Sequence, residues 1–534
     1  MLTRKILVIT IPLPALAFAL AWISGNATAG WIPFTGALTL GAGLLIGGLY
    51  LLKNEKIPAW LAGLTVGAAL LRLSAGVLWF VLLPAYGYDN EVNASGYVMA
   101  DAYVRDRAAG ELAASALPLT RAFTHSRAAD QYGGLLFLSA GVYRLAGAHL
   151  PLLMVTLTAA FSALAAPLGW ALARRLFDDD VARWTAWGLA LYPEAVLLGS
   201  SQMREAFLMS LVAAALYGLA LNRRLRERER RVTGLAWLAG AFLLMLPLSP
   251  TYALILLAIL ALLALSLEEW RLVRSRRFWL ALAGGLALVL AAVWLGWEQI
   301  APRLSDRPFD TPLEMAGYWL ELSARWQARQ TEQASGVVQS VFDDLPEAAR
   351  LPVLLAYGVT RPLLPAQVLA WGNPVWWAVG VWRALGWTLL LIPLALAPVR
   401  AWREPRGRSL PWGVIAACWA VILIAAFWGG GDEWDNPRYR VGFAALQVSL
   451  AAWVVLSQRA VRDAWVRRAV GFGVALLAWF GFWYARRYSD FDLIFGWTVV
   501  DVFKVLGAGA ATGVLYAVWD WAGEGYNAPA KSKD

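Results

Sequence analysis

Long apolar runs, separated by short polar or basic stretches, recur along the whole chain. A run of about 18 apolar residues is long enough to cross a bilayer as a helix. The pattern predicts spans near 5–24, 32–52, 58–84, 149–176, 180–198, 201–222, 232–248, 250–267, 278–297, 375–398, 411–428, 438–457, 469–485 and 493–519. Two further apolar pieces, 132–147 and 353–371, are short or broken by Pro362 and Pro365, and read as re-entrant or interfacial helices. Alternating strand-length segments, the mark of a membrane barrel, are missing. The expectation is an all-α polytopic transmembrane bundle of about 14 spans with two large outer loops.

Orientation follows from Lys and Arg in the short loops. The stretches 222–231 ("NRRLRERERR"), 399–409 and 458–468, the tail "KSK" and the N-terminal Arg4 and Lys5 fall on one side if 132–147 and 353–371 do not span. That side is cytoplasmic by the positive-inside rule, with both termini there. The other face then receives the loops 85–148 and 298–374, the stretch 429–440 and the turn 191–205. The chain divides into N-terminal spans (1–57), a transmembrane core (58–297) with the first outer loop, a second outer loop (298–374) and C-terminal spans (375–534). Within the second loop, 312–330 has helical amphipathic spacing and reads as an interfacial helix. The N-terminus has a basic start, an apolar run and an A-x-A at Ala27–Ala29, but reads as an uncleaved first span.

Composition narrows the chemistry. Of 534 residues, 60% are hydrophobic and only 15% charged, and the 31 tryptophans suit interfacial belts. The net charge of +10 lies between apolar runs, so it marks topology rather than a nucleic-acid partner. Cys418 is the one cysteine, and the two histidines, His125 and His149, are too few for a His-based metal site. Phosphate-loop, dinucleotide and Ser–His–Asp patterns are missing, which argues against an ATP-driven pump or a hydrolase. Ionic chemistry must come from carboxylates, Arg, Lys or Tyr.

Four stretches carry such groups. The first is 87–112, with Asp89, Glu91, Asp101, Asp106 and Glu111, and Tyr97 and Tyr103 nearby. A partly buried carboxylate there can act as a general base, a pair can hold Mg²⁺ or Mn²⁺, and a solvated acidic loop is the plain alternative. "DQYGG" (130–134) offers Asp130 as a helix cap or binding residue, with glycines for a tight turn or close backbone approach. In 192–207, Glu194, Arg204 and Glu205 adjoin apolar runs, where charge is costly. Arg204 can clamp a phosphate or pair with Glu205 to lock helices, and Arg72 inside the third span has the same two readings. "DEWDNPRYR" (432–440) brackets Tyr439 with Arg438 and Arg440 on the expected outer side, against the positive-inside bias, which points to an anionic headgroup or to snorkelling. Arg361 sits in a Pro-broken segment that can line a cavity.

With these stretches in place, the layout over about 60–505 resembles the GT-C class of membrane glycosyltransferases, such as protein mannosyltransferases and aminoarabinose transferases. "ADAYVRDRAAG" (100–110) is similar to the class's first-loop acidic motif, "SSQMREAFL" (200–208) to its Arg–acid stretch and "NPRYRVGFAAL" (436–446) to its late basic–aromatic motif. The chain departs from the class at "DQYGGLLFLSAGVYRLAG", where a His-Pro-Pro or Pro-Gly-Tyr-Pro stretch is common.

The resemblance implies sugar transfer from a polyprenyl-phosphate donor to a lipid, glycan or protein acceptor at the outer face of the cell membrane. It implies Asp101, Asp106 or Asp89 as base or metal ligand. Arg204, Arg361, Arg438 and Arg440 become phosphate ligands, with Asp130, Glu205 and Tyr439 beside them. A polymerase or ligase acting on lipid-linked glycans is the enzymatic alternative. A flippase of lipid-linked sugars is the other, and would place polar residues at the bilayer midplane.

Overall fold

The computed structural model describes residues 12–124, 129–222, 228–266, 294, 309–315, 317–318, 345–403, 409–461, 463–486 and 501–526. The expected span 278–297 lies outside these residues save 294, and of the expected interfacial helix 312–330 only 312–315 and 317–318 are described. The chain forms two compact units, one of residues 1–326 and 438–449, the other of 327–437 and 450–534.

In the first unit, α1 (Pro12–Ile23) and α2 (Ala27–Leu51) pack together, and α3 (Ala59–Tyr86) follows a short 3₁₀ turn. A helical turn at Glu91–Ala94 leads into α4 (Ala100–Ala114), and α5 (Gly134–Ala146) packs against α4. Then come α6 (Pro151–Ala163), α7 (Ala165–Leu176), α8 (Asp179–Leu191), α9 (Pro193–Gly199), α10 (Arg204–Asn222), α11 (Arg228–Met245) and α12 (Pro250–Ser266). The core lies at α6, α7 and α10, which are buried almost throughout. Their Ala- and Leu-rich faces meet one another and α3.

The apolar run 180–198, expected as one span, is broken. Pro193 has no N–H to continue the ladder, so α8 ends at Leu191 and α9 starts after Tyr192. Arg72 on α3 is buried beside the break. It donates to Leu189 O (2.9 Å) and Ala195 O (3.3 Å), one on each side, and to Ala68 O of its own helix (3.1 Å). Arg72 is therefore a pin for interrupted backbone rather than half of an Arg–Glu pair.

Elsewhere in this unit, buried Glu55 ties the α2–α3 connection to α7 and α10. It accepts from Arg175 Nε (3.0 Å) and Tyr217 OH (2.7 Å), and pairs with Arg174 at 3.9 Å.

In the second unit, α13 (Glu347–Thr360) and α14 (Leu364–Leu369) are separated by a cis Arg361–Pro362 bond. They are followed by α15 (Pro374–Arg403) and α16 (Ser409–Gly429). The short helix α17 (Asp435–Val441) and α18 (Ala444–Val461) carry the chain through residues 438–449 of the first unit. The helices α19 (Ala464–Arg486) and α20 (Val502–Tyr526) form a packed hairpin, clasped where Asp520 accepts from Arg467 and Arg468, each at 2.9 Å.

Among the described residues, nine helical segments are long and apolar enough to cross a membrane: α2, α3, α6 with α7, α10, α15, α16, α18, α19 and α20. Five further apolar helices are shorter, among them Gly134–Ala146 and Ala349–Thr360 in the two pieces expected not to span. The protein is a multi-pass, all-α integral membrane protein.

Candidate functional site

The charged residues singled out in the sequence separate into an ion-pair cluster, a buried hub and a second-unit group. The ion-pair cluster lies in the first unit. Asp101 stands in the first turn of α4, with its side chain 53% exposed, and Arg438 Nη2 donates to its Oδ2 at 2.9 Å. The same Nη2 donates to Glu205 Oε1 at 3.2 Å. Glu205 is buried at the start of α10, and Arg204 Nε lies 3.7 Å from its Oε1.

Arg204 differs from its neighbours. It makes no hydrogen bond among the described residues, and its guanidinium lies over the Tyr132 ring, 5.2 Å from the centroid. Tyr132 is fixed by a hydrogen bond between its hydroxyl and that of Thr251 (2.7 Å). The guanidinium is thus oriented by an aromatic face and a carboxylate while its donors stay available.

Arg105, one helical turn after Asp101, extends the cluster inward. It is 5% exposed, lies 3.6 Å from Asp130 Oδ2 and donates to Gln202 O at 2.9 Å. Burial lowers its pKa, opposed by the negative charges of Asp130, Glu205 and Asp101. The N-cap of α5 is Gly133 rather than Asp130, but the Asp130 carboxylate still braces the helix entrance, accepting from the backbone N–H of Leu136 (3.0 Å) and of Tyr132 (3.3 Å). The glycines that follow have distinct tasks. Gly133 takes φ +78°, and a Cβ on Gly134 would lie 2.1 Å from Pro247 O.

Asp106 forms the buried hub. It is 1% exposed, and its carboxylate accepts from Tyr143 OH, Tyr97 OH (2.6 Å) and His149 Nε2 (2.5 Å). Gln202 Nε2 reaches Tyr143 OH at 3.3 Å. Burial, reinforced by the Asp106 charge, pushes the Tyr97 and Tyr143 hydroxyls up, so both stay protonated donors.

Asp89 is exposed on the turn after α3. Arg440 is 1% exposed, and its carbonyl is 3.5 Å from Gln447 Nε2. Tyr439 offers its carbonyl to Tyr252 OH (2.8 Å). Arg361 belongs to the second unit, where it donates to Glu433 and to Gly431 O (3.1 Å), while Gln367 Nε2 donates to Glu433 at 2.6 Å. Asn93, in one of two glycosylation-like sequons, is buried and donates to Tyr97 O (3.1 Å).

The first-loop carboxylates are not gathered into a cluster that would hold Mg²⁺ or Mn²⁺ by protein side chains alone. Asp101 is paired with Arg438, Asp106 accepts from three donors and Asp130 faces Arg105 and two backbone N–H groups. Among the described residues, no three His, Cys, Asp or Glu side chains converge.

Arg105, Tyr143, His149, Gln202 and Tyr252 were not singled out from sequence as site residues. One signal was available: Arg105 follows Asp101 by four positions and so shares its helix face. The others come together only through tertiary packing.

No family model matches the chain, and no curated protein matches it. Two crystal structures of the Archaeoglobus fulgidus oligosaccharyltransferase show weak structural similarity. The form tethered with an acceptor peptide containing the NVT sequon has 15% identity and a TM-score of 0.39, covering 87% of this chain and 55% of that one. The apo form has 16% identity and a TM-score of 0.40, covering 87% and 56%. The chain thus spans about half the length of the structures it matches. Likeness at this level carries nothing about activity, which must be read from the residues.

Proposed function

We propose that the chain is a membrane glycosyltransferase. It takes a sugar from a polyprenyl-phosphate-linked donor and passes it to a lipid, glycan or protein acceptor at the external face. The observation that carries this reading is one connected cluster holding a half-exposed carboxylate, Asp101, and an unbonded guanidinium, Arg204, linked through Arg438 and Glu205.

Arg204 and Glu205 open α10, a helix long enough to cross the membrane, so the cluster lies at the end of a spanning helix. A lipid-linked phosphate sits at that depth, and the N-terminus of such a helix favours an anion. Arg204 donates to the phosphate oxygens, for which a planar fork is well shaped. Asp101 Oδ1, which accepts no hydrogen bond among the described residues, takes the acceptor's proton. As the acceptor oxygen or nitrogen bonds to the anomeric carbon, the bond from that carbon to the phosphate oxygen breaks. The electron pair leaves on the polyprenyl phosphate, where Arg204 offsets the new charge.

Glu205 and Asp130 hold Arg438 and Arg105 in register, and Asp106, buried and accepting from three side-chain donors, takes no part in this proton transfer. The test is transfer by purified protein in lipid nanodiscs from a polyprenyl-phosphate sugar, comparing Arg204→Gln and Asp101→Asn with the wild type. Loss in both supports the assignment, and wild-type activity in either removes that residue from it.

A further inference from the structure

The buried hub contributes nothing to that chemistry, yet it holds the helix that carries Asp101. Asp106 projects from α4, and its three donors come from three places: Tyr97 before α4, Tyr143 on α5, and His149 just before α6. Of these, His149 is the most exposed to water, with its side chain 41% exposed, while Tyr97 is half-buried and Tyr143 buried. Its ring packs edge-on to Tyr143, with centroids 4.9 Å apart, and lies against Gly110 of α4, where a Cβ would come within 2.9 Å of it. That contact has room for the imidazole only because residue 110 has no side chain.

We propose that the His149–Asp106 pair is a proton-operated latch that seats α4, and that His149 is thereby a positioning residue for Asp101 and Arg105. A buried carboxylate needs a compensating charge as well as hydrogen bonds. Tyr97 and Tyr143 donate but carry no charge. Protonated His149 does both, and its loss of a proton leaves Asp106 with neutral donors only.

Among the described residues, Asp106 is the one charged group acting on the ring. From α5, Arg144 is spent on the carbonyls of Leu112 (2.7 Å) and Leu117 (2.8 Å). On the exposed side of α4, Arg107 and Glu111 face each other at 4.0 Å. The 200–203 turn presents neutral Gln202, and α6 carries no charge.

The hydrogen bond to Asp106 raises the His149 pKa, against the effect of burial. A raised folded-state value means the latch is fully set below the free-histidine value of about 6.5 and is lost as pH rises through the folded value.

The test is hydrogen exchange of α4 amides in the intact protein in nanodiscs, corrected for intrinsic rates and referred to α10. This readout needs no substrate, so it stands or falls separately from the glycosyl-transfer reading. In the wild type, α4 protection should be constant at low pH and then fall by at most about tenfold per pH unit, the limit for one proton. His149→Gln, which keeps a donor without the charge, should abolish the pH dependence. Tyr143→Phe, which removes a neutral donor and leaves the pair, should keep it. Protection that is flat with pH in the wild type, or a dependence that survives His149→Gln, overturns the latch. If His149→Gln does not fold, the wild type and Tyr143→Phe decide alone: a flat profile in the wild type, or a dependence lost in Tyr143→Phe, overturns it.

Discussion

Arg438 and Asp101 stand 337 positions apart in the chain, and Arg438 Nη2 meets Asp101 Oδ2 at 2.9 Å. The same nitrogen reaches buried Glu205 at 3.2 Å, so one guanidinium serves an exposed partner and an enclosed one. The two halves of this arrangement should respond differently to mutation.

Removing the enclosed half should be costly. Arg438→Met leaves Glu205 buried with Arg204 only nearby, and breaking a buried pair costs about 3–5 kcal/mol. Thermal unfolding in nanodiscs should show a large loss, and Arg438→Lys should recover part of it. An unchanged midpoint for Arg438→Met would contradict the burial argument.

Arg204 makes no hydrogen bond among the described residues and Arg438 stays on Glu205 without it, so Arg204→Gln should destabilise the protein less than Arg438→Met does. Its effect should fall on the donor. Hydrogen bonds to a charged phosphate contribute about 1.5–3 kcal/mol, which corresponds to roughly 10–150-fold weaker binding. Titration with a short-chain prenyl-phosphate sugar measures it, and unaltered affinity would remove Arg204 from the site.

Gly134 tests the geometry of the α5 entrance. A Cβ there would lie 2.1 Å from Pro247 O, which is backbone and cannot swing aside. Gly134→Ala should displace the start of α5, strain the hydrogen bond from Leu136 N–H to Asp130 and destabilise the protein by about 1–3 kcal/mol. A variant as stable as the wild type would show that the contact relaxes freely.

Glu55 offers a control away from the proposed chemistry. Glu55→Gln removes the buried carboxylate that Arg174 and Arg175 share, leaving Arg174 on Asp179 and Arg175 without its ion pair. The expected cost is about 3–5 kcal/mol in unfolding, with activity per folded molecule unchanged. Reduced specific activity in the folded fraction would mean that this clasp communicates with the site.

Much of the fold was legible because a membrane helix leaves a long, simple signal. The runs at 32–52, 58–84 and 375–398 correspond to α2, α3 and α15. The break at Tyr192 was not read, because apolar residues continue through it and only Pro193 marks the interruption. The site was legible in its residue types but not in its partners. Asp101 and Asp106 look alike in sequence, yet five positions on a helix turn them about 140° apart. One therefore reaches Arg438 and the other Tyr97, buried Tyr143 and His149. The hub joins residues 97, 106, 143, 149 and 202, and no local spacing announces such a meeting.

The most direct measurement for the central claim is sugar transfer by Asp101→Asn from a polyprenyl-phosphate donor, with thermal stability recorded on the same sample. Asp101 is half exposed, so its ion pair should contribute no more than about 1 kcal/mol to stability. Loss of a general base lowers turnover by about 10²–10⁴-fold. The account predicts a folded protein, near wild-type in stability, with turnover reduced on that scale. Wild-type turnover in the folded Asp101→Asn protein would contradict it.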